Sequence, residues 1–275
     1  MILDSALHTE PLFNIDVINT AHNFQWDECY YYPGEYHDFP EIVYVKDGAV
    51  QVTENERVYN MNQGDWILHD AMEFHSIRSA NQTQPRVFIL SFYTPGILPD
   101  NLTNGVFTLS QEDRSTFEDL FYRIYEIFPR QDAPAYSRQL LALDLSAFLI
   151  RLSDNKIKEQ KLSNAKNALD YRRVVEAMQR RVHENVTLTD LSKECHVSVS
   201  YMKSLFSKNC GITPKLYYAK LRRAEALRLL TRGMPINEVA ERMNFSSPNY
   251  FSLFMKKQLG MTISEYLKNK PAITL

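Results

Sequence analysis

Cysteine is scarce in this chain of 275 residues, since only Cys29, Cys195 and Cys210 occur. An odd number of cysteines with no Cys-x-x-Cys spacing argues against a disulfide framework and against a cysteine zinc site. No apolar run approaches the roughly 20 residues that a membrane-spanning helix needs, and the N-terminus lacks the pattern of a secretory signal. We therefore predict a cytoplasmic protein that makes no membrane contact.

A strong excess of either charge is also missing, because 31 Lys and Arg stand against 33 Asp and Glu. The balance hides a segregation of charge along the chain. Residues 1–165 contain 12 basic and 24 acidic side chains, whereas residues 166–275 contain 19 basic and 9 acidic ones. A basic half beside an acidic half predicts that the second half meets a polyanion such as DNA.

The basic half contains one pattern twice, in residues 187–217 and in residues 236–266. In each copy, apolar residues recur at helical spacing, a short break follows, and a second helix begins at a serine, Ser198 or Ser247. Each copy then closes with Gly-x-Thr, as expected for a glycine just past the C-terminus of a helix. The repeat predicts two helix-turn-helix units joined by a basic helix.

This stretch resembles the DNA-binding domain of AraC/XylS-type transcriptional regulators over roughly the last hundred residues. The matching residues of the first unit and the linking helix are Gly211, Thr213, Pro214, Tyr217, Arg222, Ala226, Leu229 and Leu230. Those of the second unit are Ile236, Val239, Ala240, Phe245, Ser246, Tyr250, Phe251 and Ser252. Two such units in tandem are a far more specific signal than one.

The chain departs from the family pattern at four positions. His196 and Asn244 stand where the family usually has the turn glycine, so both must accept a left-handed backbone, which asparagine tolerates better. Ile263 replaces the second proline, and Leu253 replaces a residue of the second reading helix that is frequently arginine. We expect the turns to survive and the second unit to read bases less sharply than the first.

The resemblance implies that the two second helices enter successive major-groove faces of double-stranded DNA. Lysine can donate to guanine, asparagine can pair with adenine, and serine reads more loosely. The implied DNA-binding residues are Ser198, Ser200, Tyr201, Lys203, Ser204 and Lys208 in the first unit, and Ser247, Asn249, Tyr250, Ser252, Lys256 and Lys257 in the second. We assign Lys208, Lys256 and Lys257 to phosphate contacts, because they come later on their helices.

In the acidic half, the sequence pattern from Ile15 to Phe92 predicts β-strands. Short β-branched or alternating runs are separated by turn pairs such as Asp47-Gly48 and Gly64-Asp65, which predicts an antiparallel barrel or sandwich. Its pattern resembles the cupin sensor domain that precedes AraC-type DNA-binding domains, through His37, Glu41, Gly48, Gly64, Asp65 and His75. We therefore predict an α+β chain with a cupin-like barrel followed by an all-α domain.

Three readings of the barrel's polar residues remain open: hydrogen-bonded structure, effector binding, or a metal site. Cupin enzymes bind a divalent metal through histidines and a glutamate, but Glu35 stands where the first histidine is usual, so we expect no metal and no cofactor. Aromatic rings beside a few polar groups suit a small polar effector such as a sugar. The candidate effector residues are Tyr32, Tyr36, His37, Glu41, Trp66 and His75.

Two helices should complete the barrel domain. The first begins near Ser110, carries Phe117, Leu120, Phe121, Ile124 and Phe128 at helical spacing, and ends at Pro129. The second, residues 135–153, carries two apolar stripes: Leu141, Leu145, Phe148 and Leu152 on one side, and Leu140, Leu143, Ala147 and Ile150 on another. One stripe can face the barrel, and the other predicts a homodimer through residues 140–152. The alternative is that both stripes are buried in one monomer.

Residues 154–170 are polar and lack aromatic side chains, which predicts a linker between residues 1–153 and 171–275. After the linker, a helix buries Val174, Val175, Met178 and Val182 and leaves Arg172, Arg173, Arg180 and Arg181 for solvent or phosphate. The resemblance implies an activator at the nucleoid that contacts RNA polymerase and has no catalytic activity. The alternatives are a cupin metalloenzyme fused to a DNA-binding domain and a regulator without a ligand.

Overall fold

A computed structural model describes residues 13–95, 98–99, 101–103, 105–130, 132–154, 163 and 165–269. The strands found there are β1 Val17–Gln25, β2 Tyr31–Glu35, β3 Glu41–Asp47, β4 Ala49–Glu54, β5 Arg57–Asn62, β6 Asp65–His69, β7 His75–Ser79, β8 Arg86–Tyr93 and β9 Val106–Thr108. The helices are α1 Gln111–Ile127, α2 Ala135–Asp154, α3 Lys166–Arg180, α4 Leu188–Glu194, α5 Val199–Asn209, α6 Pro214–Thr231, α7 Ile236–Arg242, α8 Pro248–Leu259 and α9 Ile263–Asn269. This order confirms the predicted α+β class.

The strands form two antiparallel sheets, with the orders β1-β8-β3-β6-β9 and β2-β7-β4-β5. We call this two-sheet unit the barrel. Its predicted turns at Gly48 and Gly64 are present, and both glycines have left-handed backbones with φ of 75° and 84°. A residue with a side chain is strained in that region, so glycine suits the tight connections between β3 and β4 and between β5 and β6.

The five-stranded sheet is buried on both faces, which explains why the strand sequences do not alternate cleanly between polar and apolar residues. On β3, Ile42 and Tyr44 face the core shared with α1 and α2. Val43 and Val45 face the opposite core, between the two sheets. The run Ile42-Val43-Tyr44-Val45 is therefore apolar throughout because each of its sides meets a different layer.

Helices α1 and α2 cover the outer face of this sheet. Ser110 caps α1, since its Oγ accepts a hydrogen bond from Asp113 N at 3.1 Å, and the helix ends before Pro129 as predicted.

In α2 the predicted inner stripe is buried or partly buried against the core. The predicted outer stripe divides: Leu140 and Leu143 are 54% and 53% exposed, but Ile150 packs on the chain's own core. Ile150 is partly buried against that core, so it offers a partner less surface than Leu140 and Leu143 do.

Helices α3 to α9 form the helical domain, and the two predicted helix-turn-helix units are α4–α5 and α7–α8. Helix α3 already begins at Lys166 and buries Ala168, so the last residues of the predicted linker are helical. Residues 155–162 and 164 of that linker lie outside the described residues. Among the described residues, no helix combines the length and apolar character that crossing a membrane requires.

Candidate functional site

Both reading helices begin at the predicted serines. Ser198 Oγ accepts from Tyr201 N at 3.1 Å, and Ser247 Oγ accepts from Tyr250 N at 3.2 Å. Each bond satisfies one of the backbone N–H groups that the first turn of a helix leaves without an intrahelical partner. The turns before them contain His196 and Asn244 with φ of 54° and 53°, so both residues occupy the left-handed region that the family fills with glycine.

The faces that would meet DNA are open. Helix α5 buries Met202, Leu205 and Phe206, and α8 buries Phe251 and Met255, so the opposite faces point away from the domain. Most of the predicted DNA-binding residues lie on those faces and are exposed: Ser198, Ser200, Tyr201, Lys203, Lys208, Asn249, Tyr250, Ser252, Lys256 and Lys257. Ser204 and Ser247 are partly buried. Leu253 is 66% exposed among them and presents a bare apolar side chain at a reading position.

Some of these residues also have structural partners. Ser198 and Ser247 act as helix caps, and Tyr201 donates its hydroxyl to Asp170 at 2.9 Å. The arginines of α3 are partly engaged as well, since Arg173 pairs with Asp170 at 2.7 Å and Arg180 pairs with Glu194 at 3.0 Å. Exposed ion pairs of this kind contribute little to stability, so phosphate could displace them.

Arg222 joins the two helix-turn-helix units. Its guanidinium is buried and donates to Glu184 O at 2.9 Å, just before the first unit, and to Met243 O in the turn of the second unit. It also lies over the ring of Phe245, with Cζ 4.5 Å from the ring centroid. One side chain on α6 thereby fixes the position of each unit relative to the other, which a rigid two-site reader of DNA requires.

A cavity of about 290 Å³ opens between the two sheets of the barrel. Three of the sequence-predicted residues, His37, Glu41 and His75, meet inside it. His75 Nε2 lies 3.3 Å from Glu41 Oε1, and His37 Nε2 lies 3.7 Å from Glu41 Oε2. The wall contains Thr20, His22, Phe24, Trp26, Tyr30, Tyr32, Glu35, Phe39, Val43, His69, Ser76, Ile77 and Ile89. The site is apolar with a few convergent polar groups, as small-molecule sites usually are.

The histidine rings are held in fixed orientations. His37 Nδ1 donates to Phe39 O at 2.7 Å, and His75 Nδ1 donates to Glu73 O at 3.2 Å. The two Nε2 atoms consequently point at each other across 3.2 Å and share Glu41 as their neighbouring anion. This convergence of two ring nitrogens on one carboxylate is what the sequence could not show.

The two cavity histidines differ in pKa. Burial lowers the pKa of His37, and the neighbouring His75 lowers it further. Burial alone would lower the pKa of His75, but its hydrogen bond to Glu41 and the Glu41 charge raise it above the ordinary value. Burial would raise the pKa of Glu41, yet the same bond and charge keep it low. His75 therefore holds its proton to higher pH than His37 does, and Glu41 favours that protonated form of His75.

Both cavity histidines, together with Glu35, also form a group that could hold a divalent transition metal. Glu35, His37 and His75 each offer a ligand atom, and these atoms lie within 4.8 Å of one another. Imidazole and carboxylate donors suit such ions, and a ring whose Nδ1 donates to a carbonyl has its Nε2 oriented for a metal. The expectation of no metal relied on the missing histidine at position 35, but the carboxylate found there is itself a possible ligand.

A second group of buried ionisable side chains lies directly beside the first, since the His69 ring stacks on the His75 ring with centroids 4.3 Å apart. Glu54, His69 and Glu73 also bring ligand atoms within 4.8 Å of one another, and Glu54 Oε1 lies 3.3 Å from His69 Nδ1. Burial raises the pKa of Glu54 to about 7 and that of Glu73 to about 8. These carboxyls therefore keep their protons to higher pH than exposed glutamates do.

Comparison with protein-family models identifies both halves of the chain. The AraC-like ligand binding domain matches residues 25–148, and a helix-turn-helix domain matches residues 191–269. The first match contains the cavity and the second contains both reading helices. The chain belongs to the AraC family of transcriptional regulators. It combines a ligand-binding domain for a small-molecule effector with a DNA-binding domain, as predicted.

Curated relatives agree with the family. YisR of Bacillus subtilis, an uncharacterized HTH-type transcriptional regulator, is 23% identical over 256 residues, which cover 83% of this chain and 85% of YisR. YbfI of the same organism, described in the same words, is 26% identical over 231 residues, or 80% of this chain and 81% of YbfI. The transcriptional regulatory protein HptR of Staphylococcus aureus is 34% identical over 95 residues, which cover 34% of this chain and 38% of HptR.

Two of the predicted effector residues of this AraC-type chain lie away from the cavity. Trp66 is fully buried in the core between the sheet and α1–α2, where it packs edge-on against Phe107. Tyr36 packs against Phe74 in the core that joins the barrel to the helical domain. Assigning both rings to the effector was wrong, because Trp66 lies on the face of β6 that meets α1 and α2, and Tyr36, which follows the end of β2, packs toward the helical domain.

Several cavity residues were missed from the sequence. Thr20, His22, Phe24 and Trp26 recur at every second position of β1, and this period of two could have revealed them as one face of a strand. The Trp26 ring offers little free surface to a ligand, because the rings of two neighbours stack on it. The centroid of Tyr30 lies 4.1 Å away and that of Phe24 lies 5.7 Å away. From the sequence, Glu35 was noted only because it stands where the cupin pattern has a histidine, and not as a cavity residue.

Proposed function

We propose that this AraC-type regulator is a homodimeric activator that binds a small polar effector, such as a sugar, between the sheets of its barrel. The observation that supports it is the convergence of His37, Glu41 and His75 in a cavity of a chain that also exposes two capped reading helices. It acts by binding rather than catalysis, at the nucleoid, and contacts RNA polymerase from its DNA-bound position.

In this proposal, α5 and α8 read successive major-groove faces of one DNA duplex. Lys203 and Ser200 on α5, and Asn249 and Ser252 on α8, are exposed and have the donors that base edges require. Lys208, Lys256 and Lys257 neutralise phosphates. Since Leu253 can contact only a thymine methyl group or nothing, the first unit carries more of the sequence preference.

The effector would be small and would present hydroxyl or similar polar groups. A cavity of about 290 Å³ lies at the lower end of the usual size for ligand sites. Glu41 accepts hydrogen bonds, and His37, whose Nδ1 donates to Phe39 O, offers Nε2 as an acceptor when its ring is neutral. Tyr32 is 37% exposed at the wall, so its ring can cover the C–H surface of a sugar.

The proposed dimer forms through the outer face of α2. Leu140 and Leu143 are more than half exposed there, and Tyr136, one turn earlier, is 68% exposed. Beside them lies a larger, mainly apolar groove of about 730 Å³, lined by β1 and by the facing ends of α1 and α2. Large apolar surface on a soluble domain favours association, and an identical helix from a second copy fits a groove that continues its own apolar face.

Selection of genomic fragments with the purified full-length protein tests this function. We expect recovery of a discrete set of sequences that contain two half-sites, with the preference concentrated under the first unit. Recovery of random fragments, or of none, at salt concentrations that suppress non-specific binding would overturn the proposal. Genes beside the recovered sites indicate which effectors to test in the cavity.

Lys203 and Lys256 provide a matched pair for the reading helices. Lys203→Ala should weaken binding to the selected site by ~1–3 kcal/mol and relax preference at one base position, because it removes a base-edge donor. Lys256→Ala should weaken all sequences about equally and lower the salt dependence, because it removes a phosphate contact. Titrations of selected and random DNA at several salt concentrations separate these outcomes. Equal losses on both DNAs for Lys203→Ala would contradict a base-reading role.

The second candidate function is a metal-dependent cupin, supported by the two Nε2 atoms that face each other beside Glu41. Elemental analysis after incubation with Mn²⁺, Fe²⁺ or Zn²⁺ distinguishes this candidate from the effector-binding regulator. Stoichiometric metal that is lost in the double variant His37→Gln, His75→Gln, but kept in His22→Gln on the same cavity wall, would favour this candidate. We expect no stoichiometric metal in the unmodified chain, because Glu35 stands where the cupin pattern has its first histidine and only two histidines remain in the group.

A further inference from the structure

Residues 34–38 run between the cavity and the helical domain; we call them the 34–38 segment. Glu35 and His37 line the cavity. The residues between and beside them face the other way. Tyr36 O accepts from the Arg223 guanidinium at 3.3 Å, and Asp38 Oδ2 accepts from the Tyr266 hydroxyl at 3.1 Å. Arg223 belongs to α6 and Tyr266 to α9, so five consecutive residues contact the cavity and two helices of the helical domain.

The packing around the segment leaves little room for movement. Gly34 is buried so tightly that a Cβ atom there would overlap the Phe74 ring. That ring packs edge-on against Tyr217 of α6 with centroids 4.7 Å apart, and it lies 5.3 Å from Tyr36. These side chains belong to one core that contains residues of the barrel and of α3, α5 and α6. A close-packed core transmits displacement instead of absorbing it.

The other cavity histidine lies beside a second contact with the helical domain. His75 begins β7, and the next residue, Ser76, donates to Asn209 O at 3.4 Å. Thr53 on the adjacent strand donates to the same oxygen, and Arg78 donates to Lys208 O at 2.9 Å. These carbonyls end α5, the first reading helix, where a helix has acceptors without intrahelical partners. The barrel therefore caps the C-terminus of a reading helix.

We infer that the 34–38 segment carries the state of the cavity directly to the DNA-binding domain, and that Tyr36 and Asp38 are its positioning residues. A ligand that draws Glu35 and His37 into the cavity must move the backbone to which Arg223 and Tyr266 are bonded. The inference takes the cavity as the effector site of the proposed function. Because coupling between sites is reciprocal, it can be tested from either side without effector or DNA.

The first test perturbs the cavity and observes the helical domain. Hydrogen exchange of the full-length protein in EDTA is compared for His37→Gln and His22→Gln. Both change the same residue type in the same cavity, but only His37 belongs to the segment. His37→Gln should speed amide exchange around residues 210–223 and 263–268 by roughly 2- to 30-fold, the range expected for coupling of this kind. His22→Gln should leave both regions unchanged.

The second test perturbs the helical domain and observes the cavity. Tyr266→Phe and Asp38→Asn each alter the bond between Tyr266 and Asp38 with little change in shape, and Arg223→Met removes the donor to Tyr36 O. We expect each to shift the imidazole NMR signals of His37 at fixed pH. Gln179→Ala is the control, because Gln179 of α3 donates to Glu56 at 2.9 Å, across the same two domains but away from the segment.

Equal effects of His37→Gln and His22→Gln, or an unchanged His37 signal in Tyr266→Phe and Asp38→Asn, would overturn the inference. A shift in Gln179→Ala as large as in Tyr266→Phe would also overturn it, because general loosening of the domains would then explain both. If circular dichroism shows that His37→Gln does not fold, the second test decides alone. Failure of the DNA selection with both tests positive would remove the proposed function and leave the coupling intact.

Discussion

Replacement of both Leu140 and Leu143 with glutamate is expected to convert the proposed dimer to a monomer and to weaken binding to a two-site operator by roughly 10²- to 10⁴-fold. The two leucines are 54% and 53% exposed in one chain, so a partner is needed to bury them. The double variant removes that apolar burial and places four carboxylates across a two-fold interface, where like charges must lose water together. Light scattering and titration of one-site and two-site DNA measure the two effects.

The monomer fold should survive this change, because the inner stripe of α2 is untouched. Ile150 is left alone for the same reason, since it packs on the chain's own core. Leu169→Glu is the matched control: Leu169 is 47% exposed on α3, away from the proposed interface, and its replacement should leave the dimer intact. Binding to a single half-site should change little. A double variant that remains dimeric at the same concentration, or that unfolds, would place the interface elsewhere.

Arg222→Met should lower the free energy of unfolding of the helical domain by about 2–4 kcal/mol, because Glu184 O and Met243 O lose a charged donor. The stacking of the guanidinium on Phe245 is lost as well. Methionine keeps most of the apolar stem, so the effect reports the polar contacts rather than a large cavity. The two units would also lose their fixed spacing, and affinity for the operator should fall more than stability alone explains.

Arg228→Met is the matched control. The stability of both variants is measured by denaturant unfolding, and their DNA affinity by titration. Arg228 lies on the same helix α6 and pairs with Glu225 at 2.7 Å, but its side chain is 41% exposed, so its loss should cost only about 0–1 kcal/mol. Similar losses of stability in the two variants would show that Arg222 does not join the units. Unchanged DNA affinity in a folded Arg222→Met protein would show that their spacing is set by α6 alone.

The local signals in the sequence determined most of the helical domain. Ser198 and Ser247 begin helices, because a serine before an apolar-periodic run can cap the first turn. Asn244 and His196 both adopt the left-handed backbone of the turn, as expected from their positions between the two helices of each unit. The segregation of charge and the repeated unit were enough to predict DNA binding, since neither depends on knowing which residues meet across the fold.

The barrel was harder to predict, because its strands are buried on two sides. Composition identified the strands and turns, and the cupin-like pattern identified His37, Glu41 and His75. It could not tell that Tyr36 faces the helical domain or that Trp66 faces α1 and α2. A strand turns neighbouring residues to opposite faces, and when both faces are apolar the sequence no longer shows which side contains the cavity.

The sequence by itself thus determined the sheet-rich half, the helical half, the two reading helices and the cavity residues His37, Glu41 and His75, since each follows from residue type and spacing along the chain. Only the tertiary structure decided which stripe of α2 stays open, which rings line the cavity, and that the 34–38 segment contacts both cavity and helical domain. Those features depend on packing between residues far apart in sequence, such as Asp38 and Tyr266, and no local pattern encodes which distant surfaces meet.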